Sequence, residues 1–452
     1  MSHPKKSFWS VVDDDMLEQE KQPDSAHYGE NSEATPYGPA ETTLPEHSAP
    51  DARLTSAESG AYAIRHDFRP YVQYVRREGN ELGEQMVVNM GPQHPSTHGV
   101  LRVEVVLSGE EVADLRCHIG YMHRCAEKES ENSTYPQIVP YADRLDYVAP
   151  MTNAYCYSLA VERLARLSVS PEVEYFRIAI NEIERVASHL LAIGTFGIDL
   201  GAFTPFLYAF EAREKILKFF EYISGGHLLY NYIWPGGVQR QPPADVKSRI
   251  EEILRDVETA MNTEINPVLT TNRIFIDRTA TVGVMTPEVA LAYAITGPNL
   301  RGSGAKRDLR RDEPTPFYDK LDFEVCVGCG QFGPLGSALD RMMVRVDEIN
   351  ESIKIVRQCL ARFPDSGLDV HAGLPMSWNI PAAECYFRAE TARGELGVYL
   401  VSDGTNKPAR CKYRSPGFHA IQVIPEIARG QYLADLPVII GSLDFVMCEV
   451  DR

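Results

Sequence analysis

The chain has 452 residues, 44% of them hydrophobic, which is enough for two or three domains or one large one with additions. Its formal net charge of −18 argues against nucleic acid as the main partner, because phosphate binding needs a basic surface. No apolar run approaches the ~18 residues of a spanning helix, so any meeting with a membrane is expected to go through partners.

Residues 1–60 read as a disordered acidic tail, either solvated or a docking arm. They hold 4 Lys/Arg against 12 Asp/Glu, a balance of −8. The opening "MSHPKKSFWSVVDDDMLEQE" lacks the apolar core of a signal peptide and is too acidic for a transit peptide. The nine cysteines are scattered, which suits a reducing compartment. A cytosolic bacterial protein is expected.

A small β domain is expected over 61–120. "MVVNM" (86–90), "VLRVEVVL" (100–107) and "VADLRCHIG" (112–120) read as strands, with "SGEE" as a turn. The loop "GPQHPSTHG" joins the first two at a sheet end. His94 and His98 stand four apart there, but Pro95 blocks the helical display of a metalloprotease pair. His118 and His123 follow within 30 residues, so a zinc cluster is a competing reading.

A central helical domain is expected over 121–380. Amphipathic patterns cover 146–167, 171–194, 204–226, 243–262 and 334–362. In the second, Phe176, Ile180, Ile183, Ala187 and Leu190 form one stripe, and His189 reads as a satisfied core histidine. The basic loop 297–314 holds Arg301, Lys306, Arg307, Arg310 and Arg311 without the ending of a P-loop, and reads as a partner-facing or structural loop. Gly328, Gly330 and Gly333 form a GxGxxG between an expected strand and a helix, but the acids at the right offset lie inside that helix. Cys326 and Cys329 are a lone CxxC, two thiolates where a closed site needs four ligands. A mixed α+β part is expected over 381–452: a helix at 382–392, strands near 396–402 and 408–414, and a buried strand at "LPVIIG" (436–441). The fold class is therefore α+β, mainly α, with a central helix bundle.

Several motifs combine into one pattern: "NMGPQHPSTHGVLR", "HIGYMHR", "YADRLDYV", "ERVASHLLAIG", "DLGAFTPF", "YIWPGG", "RGSG" and the final "EVDR", in this order. Over residues 86–452 the chain resembles the 49-kDa (D) subunit family of proton-pumping NADH:quinone oxidoreductase, respiratory complex I. That family is related to the large subunit of [NiFe] hydrogenases, so a hydrogenase-like fold is implied. Hydrogenases hold their metals with two CxxC pairs, whereas "HRCAEK" and "FVMCEVDR" offer single cysteines, so no metal ligands are assigned.

The resemblance implies a quinone as substrate, NADH as an indirect donor, and a terminal [4Fe–4S] cluster held by a neighbouring iron–sulfur subunit. Other peripheral-arm and membrane-arm subunits are the further partners, at the cytoplasmic side of a bacterial inner membrane. It implies Tyr147 and His98 as proton donors and Asp199 as partner to His98. Arg144 and Arg124 are implied near the cluster, with His94 shaping the loop. A phenol titrates near 10 and an imidazole near 6.5, which suits a held and a renewable proton respectively. From the residues alone, Tyr147 as helix-start packing and Asp199 as a cap on the next helix stay open. So do a membrane-bound hydrogenase-type large chain and a non-catalytic scaffold. The sequence departs from the family at Leu229, where many members carry a histidine (His227 lies two residues earlier), and at "CVGCGQFGPLGSALDR".

Overall fold

The computed structural model describes residues 71–76, 82–97, 99–365, 367–368, 370 and 378–452; the expected acidic tail and His98 lie outside them. β1 (Tyr71–Arg76), β2 (Leu82–Met90), β3 (Arg102–Ser108) and β4 (Glu111–His118) form an antiparallel meander in chain order. Its registers place Tyr71 opposite Val87, Met90 opposite Val103 and Arg102 opposite His118. β3 is buried on both faces, and the charges this traps pair with each other: Arg102 lies 3.1 Å from Glu104 and donates to Asn89. The start of β4 is stitched to a distant part of the chain. The Val112 N–H donates to the Gln431 carbonyl and the Gly430 N–H to the Val112 carbonyl, both at 2.8 Å.

The helical patterns appear as Pro150–Ala165, Pro171–Asp199, Phe203–Ser224, Val246–Ala260 and Ala338–Leu360. The central one is Pro171–Asp199, about 43 Å long at ~1.5 Å per residue. Ser170 caps it, Pro171 pre-sets its first turn, and Glu172 and Glu174 face its positive end. It differs from an ordinary amphipathic helix in one respect: every residue from Val173 to Leu190 is buried. The apolar stripe packs as expected, with Phe176 edge-on to Phe363 at 5.4 Å. The polar face is buried as well.

That face is satisfied by charges from distant segments. Glu182 accepts from Arg310, from Tyr318 at 2.7 Å and from Ser352 at 2.7 Å. Arg310 pairs with Asp308 at 2.7 Å, and Arg301 with Glu348 at 2.7 Å and Glu390 at 2.8 Å. His189 donates from Nε2 to Glu348 at 2.9 Å, and burial pushes its pKa down, so it is a neutral core histidine; its Nδ1 has no partner among the described residues. The basic loop therefore splits. Arg301 and Arg310 are structural and enclosed, while Lys306, Arg307 and Arg311 stay exposed.

Three expectations are corrected. Residues 382–392 are not a helix but β7 (Ala383–Thr391), paired antiparallel with β8 (Gly394–Ser402), which pairs with β9 (Pro408–Arg414). β5 (Ile233–Trp234) and β6 (Gly237–Val238) make a separate two-stranded ribbon. In β7, Cys385 and Ala389 turn inward while Tyr386 faces out, the two-residue alternation of a strand. "LPVIIG" is the Leu436–Leu443 helix rather than a strand. A short run that is apolar all round fits either form, and Pro437 in the first turn favours the helix. The stretch before the glycines at 328–333 has no regular strand.

Burial pushes the Glu348 carboxyl up, but Arg301 and His189 outweigh it and hold it well below the usual range; Arg310 and Arg301 do the same for Asp308. Groups lowered on folding stabilise above their unfolded pKa, and the gain is lost as pH falls through the folded values. Arg301→Met strips Glu348 and Glu390 of the buried cation they share and is expected to cost about 3–5 kcal/mol. Thermal stability of the assembled variant against wild type, read at pH 7 and again below pH 4, checks both the loss and its fading in acid.

Candidate functional site

The site is built on one strip near the C-terminus. Residues Gly441 to Asp444 are gripped from behind: Arg341 donates to Ser442 Oγ at 2.7 Å, Arg345 to the Ser442 carbonyl at 2.9 Å, and Asn299 to the Leu443 carbonyl at 2.8 Å. Asp444 lies 3.7 Å from Arg345 and 3.4 Å from Arg393. The strip runs on into the short Met447–Asp451 helix. Its Asp451 side chain accepts from the Gly120 and Met122 backbones at 2.8 and 2.7 Å, which ties the "HIGYMHR" segment to the chain end.

The histidine loop docks on the same strip. Its Pro95–Thr97 turn packs on the Leu436–Leu443 helix, and Gly99 faces the Met447 side chain. The loop is pinched at its base, where a Cβ on Gly91 would fall 2.1 Å from the Leu101 carbonyl oxygen. Thr97 is buried and donates to the His94 carbonyl at 2.8 Å, while His94 itself is exposed.

Asp199 ends the central helix and is half-buried, with its carboxyl lying on Gly441. A Cβ at 441 would sit 2.2 Å from Asp199 Oδ2, so any larger residue there would displace the carboxyl. Asp199 is not the cap of the next helix, since Phe203–Ser224 starts from Ala202 with no side-chain cap.

Tyr147 lies at the other end of the strip, in the turn before Pro150–Ala165, with 42% of its surface exposed. The turn is organised by its neighbour. Asp146 Oδ1 accepts from the Val148 and Ala149 backbones at 3.1 and 3.3 Å, and Oδ2 pairs with Arg393. The Tyr147 ring is therefore free of a capping task, and its hydroxyl makes no hydrogen bond among the described residues. Burial raises its pKa, with Cys448 adding to this and Arg393 opposing it, so the phenol keeps its proton at neutral pH.

Arg124 and Arg144 come together: Arg124 Nη2 donates to the Arg144 carbonyl at 2.7 Å, and both side chains are exposed. Of the other histidines, His123 bonds the Asp451 carbonyl at 2.7 Å, and His118 lies 4.0 Å from Glu104. His227 pairs with Glu221 at 2.9 Å on the surface, and Leu229 adopts a left-handed φ of 60°. Among the described residues no group of three His, Cys, Asp or Glu side chains is placed to hold a metal ion.

The sequence alone did not point to Arg393, Asp444 or Glu449. Each meets Tyr147 or Asp146 only through the fold, and the only local signal was an aspartate adjacent to the tyrosine in "RLDYV".

The chain is mainly helical with small antiparallel sheets. Its relatives supply the family. The family described as respiratory-chain NADH dehydrogenase, 49 Kd subunit, matches residues 199–376 and 370–452. A relative in Chlorobaculum parvum, named as the D subunit of NADH-quinone oxidoreductase, is 49% identical over 82% of this chain and 92% of its own length. Relatives of the same name are 47% identical in Chlorobium phaeobacteroides, over 84% and 97%, and 48% identical in Chlorobaculum tepidum, over 82% and 92%. The chain belongs to the 49-kDa subunit family of complex I. Among its described residues no helix is long and apolar enough to cross a membrane.

Glu449 is buried, and its carboxyl is pushed up to about 8 by burial and by Asp146, against Arg393. An acid raised on folding loses stability as pH climbs from its unfolded value to its folded one, at about 1.4 kcal/mol per pH unit. Glu449→Gln mimics the protonated form. It is expected to preserve assembly at pH 6 and to stabilise the protein relative to wild type at pH 9, read as thermal inactivation at the two pH values.

Proposed function

We propose that this chain forms the quinone-reduction site of a proton-translocating NADH:quinone oxidoreductase, as part of its peripheral arm. The electrons come from a terminal [4Fe–4S] cluster in a neighbouring iron–sulfur subunit, and NADH acts indirectly through other peripheral-arm subunits. Membrane-arm subunits lie beneath, at the cytoplasmic side of a bacterial inner membrane. The division into an acidic tail, a β domain, a hydrogenase-like helical body and a C-terminal α+β part belongs to the same reading.

Reducing a quinone takes two electrons and two protons. In this reading Tyr147 gives its phenol proton to one quinone oxygen and His98 gives an imidazolium proton to the other. Asp199 is the carboxylate that would partner the charged imidazole. Arg124 and Arg144 face the cluster side, where fixed cations favour the reduced, more negative state. His94 shapes the loop. The observation that carries the reading is Tyr147: an exposed, protonated phenol with no internal hydrogen bond, on the strip that also seats Asp199.

Tyr147→Phe in the assembled complex is expected to lower quinone reduction by on the order of 10²-fold. Electron transfer from NADH to a hydrophilic artificial acceptor should stay unchanged. Wild-type quinone turnover in that variant would sink the reading in favour of a scaffold role. Asp199→Asn is expected to slow turnover roughly tenfold and shift its pH dependence; a variant with an unaltered pH profile removes the His98–Asp199 unit from the scheme.

A further inference from the structure

Arg393 sits in the tight turn between β7 and β8, 3% exposed, where Thr391 Oγ1 donates to the Gly394 carbonyl at 2.9 Å. A guanidinium buried so deeply needs carboxylates. It has two: Nη1 bonds Asp146 Oδ2, and Nη2 lies 3.4 Å from Asp444 Oδ1. Its Nε has no partner among the described residues. Asp146 directly precedes Tyr147 and ties down the turn that carries it, so the Arg393–Asp146 bond holds the backbone from which the phenol projects. Arg393 is also near enough for its charge to act on the Tyr147 hydroxyl.

The other groups around Arg393 set the local charge. Asp146 comes from the Tyr147 turn, Asp444 from the strip, Glu449 and Cys448 from the last helix. Arg345 on the Ala338–Leu360 helix shares Asp444 at 3.7 Å, and Arg213 on Phe203–Ser224 also feels the charge of Arg393. With Glu449 and Cys448 protonated, Asp146 and Asp444 are the carboxylates that Arg393 and Arg345 pair with. Once Tyr147 has given up its proton, the phenolate is an added negative charge in a half-buried place, and Arg393 is the buried cation bonded to its neighbouring residue.

We propose that Arg393 is a positioning residue for proton donation: it holds Asp146, and so the Tyr147 turn, and its charge offsets the phenolate left after donation. The step is a proton transfer in which the Tyr147 O–H bond breaks and an O–H bond forms on the reduced quinone oxygen. Both electrons arrive from the iron–sulfur cluster of the neighbouring subunit. The inference rests on the reading of Tyr147 as the donor. A purely structural Arg393 would also hold the turn but would leave proton transfer itself untouched.

The test compares Arg393→Gln, Arg393→Lys and Tyr147→Phe in the whole complex, with a short-chain quinone as substrate and a hydrophilic acceptor as the assembly control. Arg393→Gln is expected to lower kcat roughly tenfold with KM nearly unchanged, and to enlarge the solvent deuterium isotope effect on kcat. Arg393→Lys should recover most of the rate. If Tyr147→Phe turns over normally, the donor reading fails and this inference with it. If Tyr147→Phe is slow while Arg393→Gln is normal, equally slow with lysine, or unchanged in isotope effect, only the role of Arg393 is overturned. Should Arg393→Gln not assemble, Asp444→Asn decides. It leaves more of the Arg393 charge for the phenolate, so a smaller isotope effect supports the inference and an equal or larger one overturns it.

Discussion

The structure depends on a helix whose charged face has no access to water. Along Pro171–Asp199, the unbroken burial from Val173 to Leu190 encloses Glu174, Arg177, Glu182, Glu184, Arg185 and His189 together with the apolar stripe. An unpaired charge in such a place costs several kcal/mol and an unpaired polar group about 1–3, so each is met by a group brought from elsewhere in the chain. Those meetings fix the architecture. Arg177 draws in Glu162 at 2.7 Å and the Gly237 carbonyl, Glu182 draws in Arg310 and Ser352, and His189 draws in Glu348. Apolar contacts alone would tolerate a sliding of these helices by a fraction of a turn. Hydrogen-bonded charges do not, because their geometry is narrow and their failure is costly.

The same helix positions all three parts of the site. Glu184 accepts from the Met151 and Thr152 backbones at 3.0 and 2.7 Å, which places the start of Pro150–Ala165 directly after the Tyr147 turn. Arg185, the next residue, donates to the Thr391 and Glu390 carbonyls at 2.7 Å each and so anchors the turn that carries Arg393. Four turns further on, the helix ends with Asp199 on Gly441. The spacing between the phenol end and the carboxylate end is thus the length of a rigid helical segment rather than the reach of a loop.

The parts of this that were legible in the sequence are those with local causes. Three strands of the meander and the long helices follow from two- and three-to-four-residue periodicities, and the histidine loop from its glycines and proline, while β1 was not read. The misread segments lacked a local cause. "LPVIIG" is apolar on every side, so its period carries no information, and the 383–391 segment mixes helix-forming residues with a weak alternation that only pairing with β8 resolves. The basic loop showed its charges but not their destination, because Glu182 and Arg310 are 128 positions apart. At the site, Tyr147, Arg124, Arg144 and Asp199 were reached through the family pattern, since an isolated tyrosine or aspartate has no signature of its own. Arg393 was invisible for the same reason as Arg310: its partner Asp146 is 247 positions away.

The strip Gly441–Asp444 gives the two ends of the site a common support. Each of its four residues is engaged: Gly441 by Asp199, Ser442 by Arg341 and Arg345, Leu443 by Asn299, and Asp444 by Arg345 and Arg393. Arg345 contacts both Ser442 and Asp444, so a shift in the strip at one end reaches the other through a single buried guanidinium. The Asp199 carboxyl occupies the place a Cβ on Gly441 would take, so the helix end and the strip are in direct contact. The strip thus joins the Gly441 contact of Asp199 to the counter-charge of the Tyr147 turn through adjacent, engaged residues. That linkage is one of packed atoms and paired charges within this chain.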